Sequence, residues 1–143
     1  MSTFRFPLQA ALQWRKHLLL QEKLKLHVLE AKRDTTLQLR HNTFVQLTVS
    51  TTPETIDAAS LQQGAAYRAN LSALYLHLQS TVLSESKRVE DQLARCVEAD
   101  RECRVLEKLR SAKLARWESD MRKKSDEEAA EIYSAKWSRE NTF

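Results

Sequence analysis

The sequence predicts an all-α protein, a long two-helix antiparallel coiled-coil hairpin with an overhanging C-terminal helix. Its 143 residues include only one glycine, Gly64, and two prolines, Pro7 and Pro53. These two residue types supply most turns and strand ends, so their scarcity leaves little room for chain reversals. Charged residues make up 29% of the chain, which is typical of long solvated helices rather than of a thick globular core.

The first helix is predicted over about residues 6–48. Pro7 suits the first turn of a helix, where its missing N–H costs nothing. Large apolar residues then recur at helical spacing and share one face of the helix. They are Leu8, Leu12, Leu19, Leu26, Leu29, Leu37, Phe44 and Leu47.

The chain is predicted to reverse once, at about residues 49–54. Thr52 followed by Pro53 has the pattern of a helix N-cap with proline at the first helical position. The second helix is predicted over about residues 55–139, because no glycine or proline follows Gly64. Residues 1–143 are therefore expected to form a single coiled-coil domain.

The second helix carries a seam of residues spaced by seven. Sustained heptad spacing predicts a left-handed coiled coil. The cysteines of the seam stand about 10 Å apart on one helix, too far for a disulfide, and are expected to be small apolar core residues. The seam consists of Val82, Val89, Cys96, Cys103, Arg110 and Trp117, with the companions Leu71, Leu74, Leu78, Leu93, Ala99 and Leu106.

The two helices are predicted to have unequal lengths. A turn at about residue 52 places Leu8 opposite residues 96–100 and leaves the chain beyond about residue 103 without an intramolecular partner. Because an isolated helix is marginal in water, the apolar residues of this overhang are expected to meet another molecule. They are Leu106, Leu109, Leu114, Trp117, Met121, Ile132, Tyr133 and Trp137. The alternatives are a turn at a different position, or a tail that folds back or frays.

The sequence contains no recognisable pattern for catalysis or for ligand binding. A single glycine excludes the glycine-rich phosphate loops and the nucleophile elbow, and the histidines and cysteines lack zinc-site spacing. The chain is expected not to be an enzyme and to bind no metal or cofactor. No signal peptide or apolar run of about 20 residues is visible, so we expect a cytoplasmic protein without membrane insertion.

The positive charge is concentrated in the first helix. Residues 1–50 hold eight basic and three acidic residues, a net charge of +5, against +4 for the whole chain. Such an excess favours acidic protein, anionic lipid or nucleic acid, or it is an ordinary solvated face. The longest basic run is Arg122-Lys123-Lys124, and charges of both signs alternate elsewhere in the second helix. Nucleic acid is therefore not expected as a partner.

Four stretches resemble sequence patterns of the flagellar FliJ family. The start, Phe4-Arg5-Phe6-Pro7-Leu8-Gln9-Ala10-Ala11-Leu12, resembles its F-x-F-x-L-x-x-x-L opening. Tyr67, Leu71 and Leu74 resemble its Y-x-x-x-L-x-x-L run. Ala99-Asp100-Arg101 followed by Leu106-Glu107-Lys108-Leu109 resembles its arginine before L-E-x-L. Lys123-Lys124-Ser125-Asp126-Glu127-Glu128-Ala129 resembles its K-x-L-D-E-x-A ending, with Ser125 at the usual leucine. Together they cover nearly the whole chain.

The resemblance implies a stalk of the flagellar type III export apparatus, similar to the gamma subunit of rotary ATP synthases. Such a protein is cytoplasmic and peripherally associated with the inner membrane at the flagellar base. The implied partners are the hexameric export ATPase, the cytoplasmic domain of the export gate protein, and export chaperones. The implied ATPase-ring contacts are Phe4, Phe6, Leu8, Arg110, Trp117, Met121, Asp126 and Glu127. The implied gate contacts are Tyr67, Asn70, Leu74, His77 and Thr81, of which Leu74 is equally a candidate for the seam.

Three other functions fit the same residues. The nearest is the equivalent stalk of a virulence-type injectisome, which shares the hairpin and little sequence. A substrate-binding coiled-coil chaperone or scaffold that never enters a ring is a second alternative. The third is a protein that binds nucleic acid or an anionic membrane through its basic first helix.

Overall fold

Two long α-helices in contact with each other account for most of the protein in the computed structural model, which describes residues 2–50 and 58–142. The first helix, α1, spans Gln9–Val49, and the second, α2, spans Ala58–Glu140. Within the described ranges there is no β-strand, so the all-α class is confirmed. The predicted turn at about residues 49–54, with its Thr52 and Pro53 signal, lies largely outside the described residues.

Local hydrogen bonds define where α1 begins and ends. The N–H of Gln9 donates to the Phe6 carbonyl at 3.1 Å, which closes a turn over Pro7 just before the helix. Proline suits this position because its φ is already close to the helical value. At the other end the N–H of Ser50 donates to the Gln46 carbonyl, and its hydroxyl donates to the Leu47 carbonyl.

The chain divides into two compact units, and each helix contributes to both. The terminal unit consists of Met1–Leu18 with Asp100–Phe143, and the central unit of Leu19–Ala99. In the central unit the residue numbers of the contacting partners decrease along α2 as they increase along the first part of the chain. The pairs are Glu22 with Gln92, Phe44 with Tyr75, and Ser50 with Arg68.

The terminal unit contradicts the predicted start of the overhang. Residues 104–121 do not lack an intramolecular partner, because Arg110 contacts Gln9 and Met121 contacts Ser2. Leu8 was predicted to face residues 96–100, whereas its neighbour Gln9 meets α2 about two heptads further along. The prediction centred the pairing at about residue 52, whereas the contact between Ser50 and Arg68 places its midpoint at about residue 59.

The half-buried and buried residues of α2 step by three and four along the helix. Val82, Val89, Cys96 and Cys103 are buried, as predicted, and both cysteines are free thiols. The steps pass through positions 75, 85 and 92 and leave out Leu74 and Leu93, whose side chains are 45% and 50% exposed. The seam assignment of Leu74 and Leu93 is therefore wrong.

The most buried positions of α1 include two that the sequence prediction missed. Leu12 is buried, but Leu8 and Phe44 of the predicted stripe are exposed. Thr36 and Thr43 are buried instead, seven residues apart, and their hydroxyls donate to the carbonyls four residues earlier. A threonine hydroxyl satisfied by its own helix can face a packed neighbour without leaving a buried polar group unpaired.

No stretch of α1 or α2 within the described residues is long and apolar enough to cross a membrane.

Candidate partner-binding surfaces

Aromatic and cationic side chains of the N-terminal segment and of α2 pack against each other in the terminal unit. The ring centroids of Phe4 and Trp117 are 6.0 Å apart and the planes are tilted by 56°. The guanidinium carbon of Arg110 lies 5.6 Å from the Phe4 ring centroid, and its Nε donates to Gln9 Oε1 at 3.1 Å. Tilted ring pairs and a cation over a ring face are both attractive. We call Phe4, Arg110 and Trp117 the terminal cluster.

Three further predicted ring contacts lie in the same unit with different exposure. Phe6 is buried, so it supports the unit from inside rather than offering a surface. Leu8 faces solvent with 40% of its surface exposed. Met121 is half-buried, and its Sδ accepts a hydrogen bond from the Ser2 hydroxyl at 3.4 Å. The structure therefore brings the N-terminal residues 2–9 against residues 110–121 of α2.

The last part of α2 is the most exposed segment of the terminal unit. Every residue from Arg122 to Thr142 is exposed, which includes the predicted ring contacts Asp126 and Glu127. Three large apolar side chains lie here, Ile132, Tyr133 and Trp137, with 60–71% of their surface exposed. We call residues 122–142 the tail. The exposed overhang is thus about half as long as the sequence predicts.

The five predicted gate contacts occupy one face of α2 in the central unit. Tyr67, Asn70, Leu74, His77 and Thr81 follow each other at steps of three and four, which places them along one side of the helix. The first four are exposed, and Thr81 is half-buried with its hydroxyl donating to the His77 carbonyl at 3.0 Å. We call these residues the 67–81 face. It offers two large apolar side chains, Tyr67 and Leu74, among small polar ones.

Polar side chains inside the central unit were not anticipated from the sequence. Gln92 is buried, and its Nε2 donates to the main-chain carbonyl of Glu22 at 3.0 Å and also to the Glu22 carboxylate. Glu85 is buried as well. Continuing the seam in steps of three and four from Val82 and Val89 would have found both positions, because 85 and 92 lie between its buried members.

Two buried polar atoms of the central unit have no hydrogen-bond partner among the described residues. They are Oε2 of Glu85 and Nε of Arg33. A buried polar atom without a partner loses its hydration and gains nothing in return, so it opposes folding. A different atom of the Arg33 guanidinium, Nη2, forms an ion pair with the Asp34 carboxylate at 3.5 Å.

Ion pairs neutralise part of the basic excess of α1. Arg15 pairs with Glu102 and Lys16 with Glu107 in the terminal unit, while Lys25 pairs with Glu22 in the central unit. At least one partner of each pair is well exposed to solvent, so each pair contributes little to stability. They do reduce the positive field that a nucleic acid would meet.

The Cys103 thiol is held protonated by its surroundings. Burial raises the pKa of this thiol above its ordinary value of 9.0, and the carboxylates of Glu107 and Asp100 raise it further. A protonated thiol is a poor nucleophile. Cys103 therefore acts as a packing residue, as its position in the seam predicts.

Comparison with known proteins finds no match for this chain among protein-family models, curated proteins or solved structures.

Proposed function

We propose that the protein is a non-catalytic stalk of the flagellar type III export apparatus. In this proposal the joined chain ends and the tail bind a hexameric export ATPase, and the 67–81 face binds the cytoplasmic domain of the export gate. The protein is cytoplasmic and attaches peripherally to the inner membrane at the flagellar base. Export chaperones are proposed as further partners that it escorts.

The proposed architecture is an antiparallel coiled-coil hairpin. Two observations support it: the residue numbers of contacting partners run in opposite directions within each unit, and the seam of α2 advances by alternating steps of three and four. A sustained repeat of this kind is the signature of left-handed coiled-coil packing. The overhang then consists of the tail rather than of everything beyond residue 103.

The exposed tail carries the proposal for the ring. The terminal cluster and the Ser2–Met121 contact hold the N-terminal segment against α2, and α2 continues beyond Met121 for about five more turns with every side chain exposed. A helix with Ile132, Tyr133 and Trp137 in water lacks the buried face that stabilises helices in proteins. A pocket that accepts a single helix end, such as the centre of a ring, would supply that face.

A stalk of this kind would act through unequal contacts. A single asymmetric helix pair inside a symmetric ring touches its subunits differently, so it favours one conformation in some of them. A ligand shifts a conformational equilibrium only as far as its affinities for the two states differ. The tail side chains that contact the ring are thus expected to control the rate of ATP hydrolysis without entering the chemistry.

The ring proposal is tested by removing the tail alone. A chain ending at Met121 keeps the terminal cluster and should lose most of its stimulation of a purified flagellar export ATPase, measured as ring assembly and ATP hydrolysis. Truncation at residue 104 would also remove Arg110 and Trp117, so it would confuse loss of binding with loss of packing. Stimulation that survives in the 1–121 chain, with helicity retained by circular dichroism, would contradict the proposal.

The gate proposal is tested by one substitution on the 67–81 face. Leu74→Asp should abolish binding to the purified cytoplasmic domain of the gate and leave stimulation of the ATPase unchanged. Leu76→Asp is the matched control, because Leu76 is also an exposed leucine but points about 200° away around the helix. Equal loss of binding in both variants would show that the face itself is not recognised.

The alternative functions are separated by the same assays. An injectisome stalk would stimulate the ATPase of that system in preference to the flagellar one. A chaperone or scaffold would bind export substrates and leave ATP hydrolysis unchanged. The paired cations of α1 weigh against nucleic acid, and binding of nucleic acid that does not weaken with salt would exclude a phosphate-driven mode.

A further inference from the structure

The charges at the start of the tail are ordered in two blocks of opposite sign. Arg122-Lys123-Lys124 is separated by the single residue Ser125 from Asp126-Glu127-Glu128. All seven residues are exposed and helical. Within the described residues no ion pair joins one block to the other, so both remain available to a partner.

These two blocks are complementary to themselves when the direction of the helix is reversed. A second copy of α2, related by a two-fold axis through Ser125, would place Arg122 opposite Glu128 and Lys124 opposite Asp126. Lys123 and Glu127 lie about 160° around the helix from Ser125, so they face away from the second copy. Each pairing occurs twice, because a two-fold interface uses the same surface on both partners. A parallel arrangement would instead bring like charges together, which is unfavourable.

The apolar residues around the blocks follow the same symmetry. The register that centres on Ser125 places Met121 opposite Ala129 and Trp117 opposite Tyr133. A shallow depression lies on this part of the helix, lined by Trp117, Glu118, Met121, Arg122 and Ser125. The small serine at the crossing point allows two helices to approach closely, and the flanking larger side chains can fill the space on either side.

We propose that the free protein forms an antiparallel homodimer through residues 117–133, with the two tails crossing at Ser125. The second copy buries Ile132 and Tyr133, which the tail otherwise exposes to water. This inference goes beyond the stalk proposal and does not depend on it. If both hold, the dimer covers Asp126 and Met121, so self-association and ring binding exclude each other and the free protein is kept from the ring.

The dimer is tested by charge reversal and mixing. Sedimentation of the full chain should show a dimer with a Kd of about 10 µM, as for a small and transient interface. Arg122→Glu/Lys124→Glu and Asp126→Lys/Glu128→Lys should each be monomeric at that concentration. An equimolar mixture of these two variants should form a heterodimer, because both block contacts become complementary again. Raising the salt from about 0.05 M to about 0.5 M should weaken the wild-type dimer about tenfold.

Two controls distinguish this interface from general stickiness. Lys108→Glu/Lys113→Glu makes the same change of charge on exposed residues of α2 outside the proposed contact, and should dimerise as the wild type does. Ser125→Cys should give a disulfide-linked dimer on mild oxidation, because the axis brings the two thiols together, whereas Ser138→Cys should not. Circular dichroism checks that each variant stays helical.

Three results would overturn the proposal: a wild-type chain that stays monomeric well above 10 µM, a mixture of the two reversed variants that stays monomeric, or crosslinking of Ser138→Cys as readily as Ser125→Cys. No export ATPase enters these measurements. Their failure therefore leaves the stalk proposal standing, and loss of the stalk proposal leaves the dimer untouched.

Discussion

One amide nitrogen of Gln92 donates to both the main-chain carbonyl and the carboxylate of Glu22. This contact joins α2 to α1 in the middle of the central unit, in a side chain that is only 5% exposed. A buried polar side chain in a helical seam has a partner in few alignments, so it favours one register over others. It favours one alignment in a seam whose apolar members, such as Val82 and Val89, can pack in several alignments.

Replacement of Gln92 by alanine should destabilise the protein. The change removes the hydrogen bonds to Glu22, leaves its carboxylate without this partner, and opens a small cavity. We expect the free energy of unfolding in urea to fall by about 2 kcal/mol, in line with buried hydrogen bonds to charged groups. Gln79→Ala, at an exposed position of the same helix, should change it by less than about 0.5 kcal/mol. Equal effects would mean that the contact with Glu22 does not stabilise the fold.

Replacement of Glu85 by methionine should stabilise the protein. Its carboxylate is buried with one oxygen lacking a partner, and methionine fills a similar volume without a polar atom. We expect the free energy of unfolding to rise by about 1 kcal/mol or more, as in other replacements of buried charged groups by apolar ones. Glu90→Met, on the exposed side, is the matched control. A fall in the urea midpoint for Glu85→Met would show that the carboxylate has a stabilising partner.

Replacement of Trp117 and of Trp137 by alanine should have different effects on the free energy of unfolding. Trp117 packs against Phe4, so Trp117→Ala should lower the free energy of unfolding by about 2 kcal/mol through lost burial and the lost ring pair. Trp137 is 60% exposed, and Trp137→Ala should change it by less than about 0.5 kcal/mol in the monomer. Thermal unfolding of both variants decides this, and a larger loss for Trp137 would mean that the tail packs on the protein.

Alkaline pH should weaken the fold through Cys103. Because its pKa is raised in the folded state, the unfolded chain releases the thiol proton first, at about pH 9. The folded state then binds more protons than the unfolded one, so the free energy of unfolding falls as the pH rises through this range. Urea unfolding at a series of pH values should show a smaller fall for Cys103→Val than for the wild type. Identical slopes would contradict the role assigned to burial.

The all-α class was predictable because it follows from what the sequence lacks. One glycine and two prolines leave few places where a helix can end, and the spacing of Val82, Val89, Cys96 and Cys103 marks the buried side of α2 directly. Two-helix composition and seam residues are local properties of the chain. They can be read without knowing which part of α1 meets which part of α2.

The pairing of α1 with α2 was predicted wrongly for a physical reason. A heptad seam maps onto itself when one helix slides by seven residues, so the repeat alone does not select an alignment. The predicted partner of Leu8 was displaced by about two such steps. The alignment depends instead on single contacts such as Gln92 with Glu22 and Phe4 with Trp117, whose energies are too small to recognise from spacing.

The polar seam residues were missed because hydrophobicity was used to find the seam. Glu85, Gln92, Thr36 and Thr43 all stand at repeat positions, yet none is apolar. Hydrophobicity favours Leu93 over its buried neighbour Gln92, and Leu74 over its half-buried neighbour Tyr75, because leucine is the more apolar residue of each pair. The exposed apolar residues of the 67–81 face and the tail are a second consequence, since a leucine or tryptophan at helical spacing looks the same whether it faces a helix or solvent.

An unburied tail also leaves its backbone amides open to exchange with deuterium. Local opening costs least where few apolar contacts must break, so residues 122–142 are expected to exchange far faster than the buried stretch around Val89 to Cys103. Any molecule that covers the tail, whether a second chain or a ring, would slow that exchange over the residues it touches. The rate of hydrogen–deuterium exchange at each amide of the tail therefore shows whether a partner covers that residue. This measurement needs no assay of secretion or of nucleotide hydrolysis.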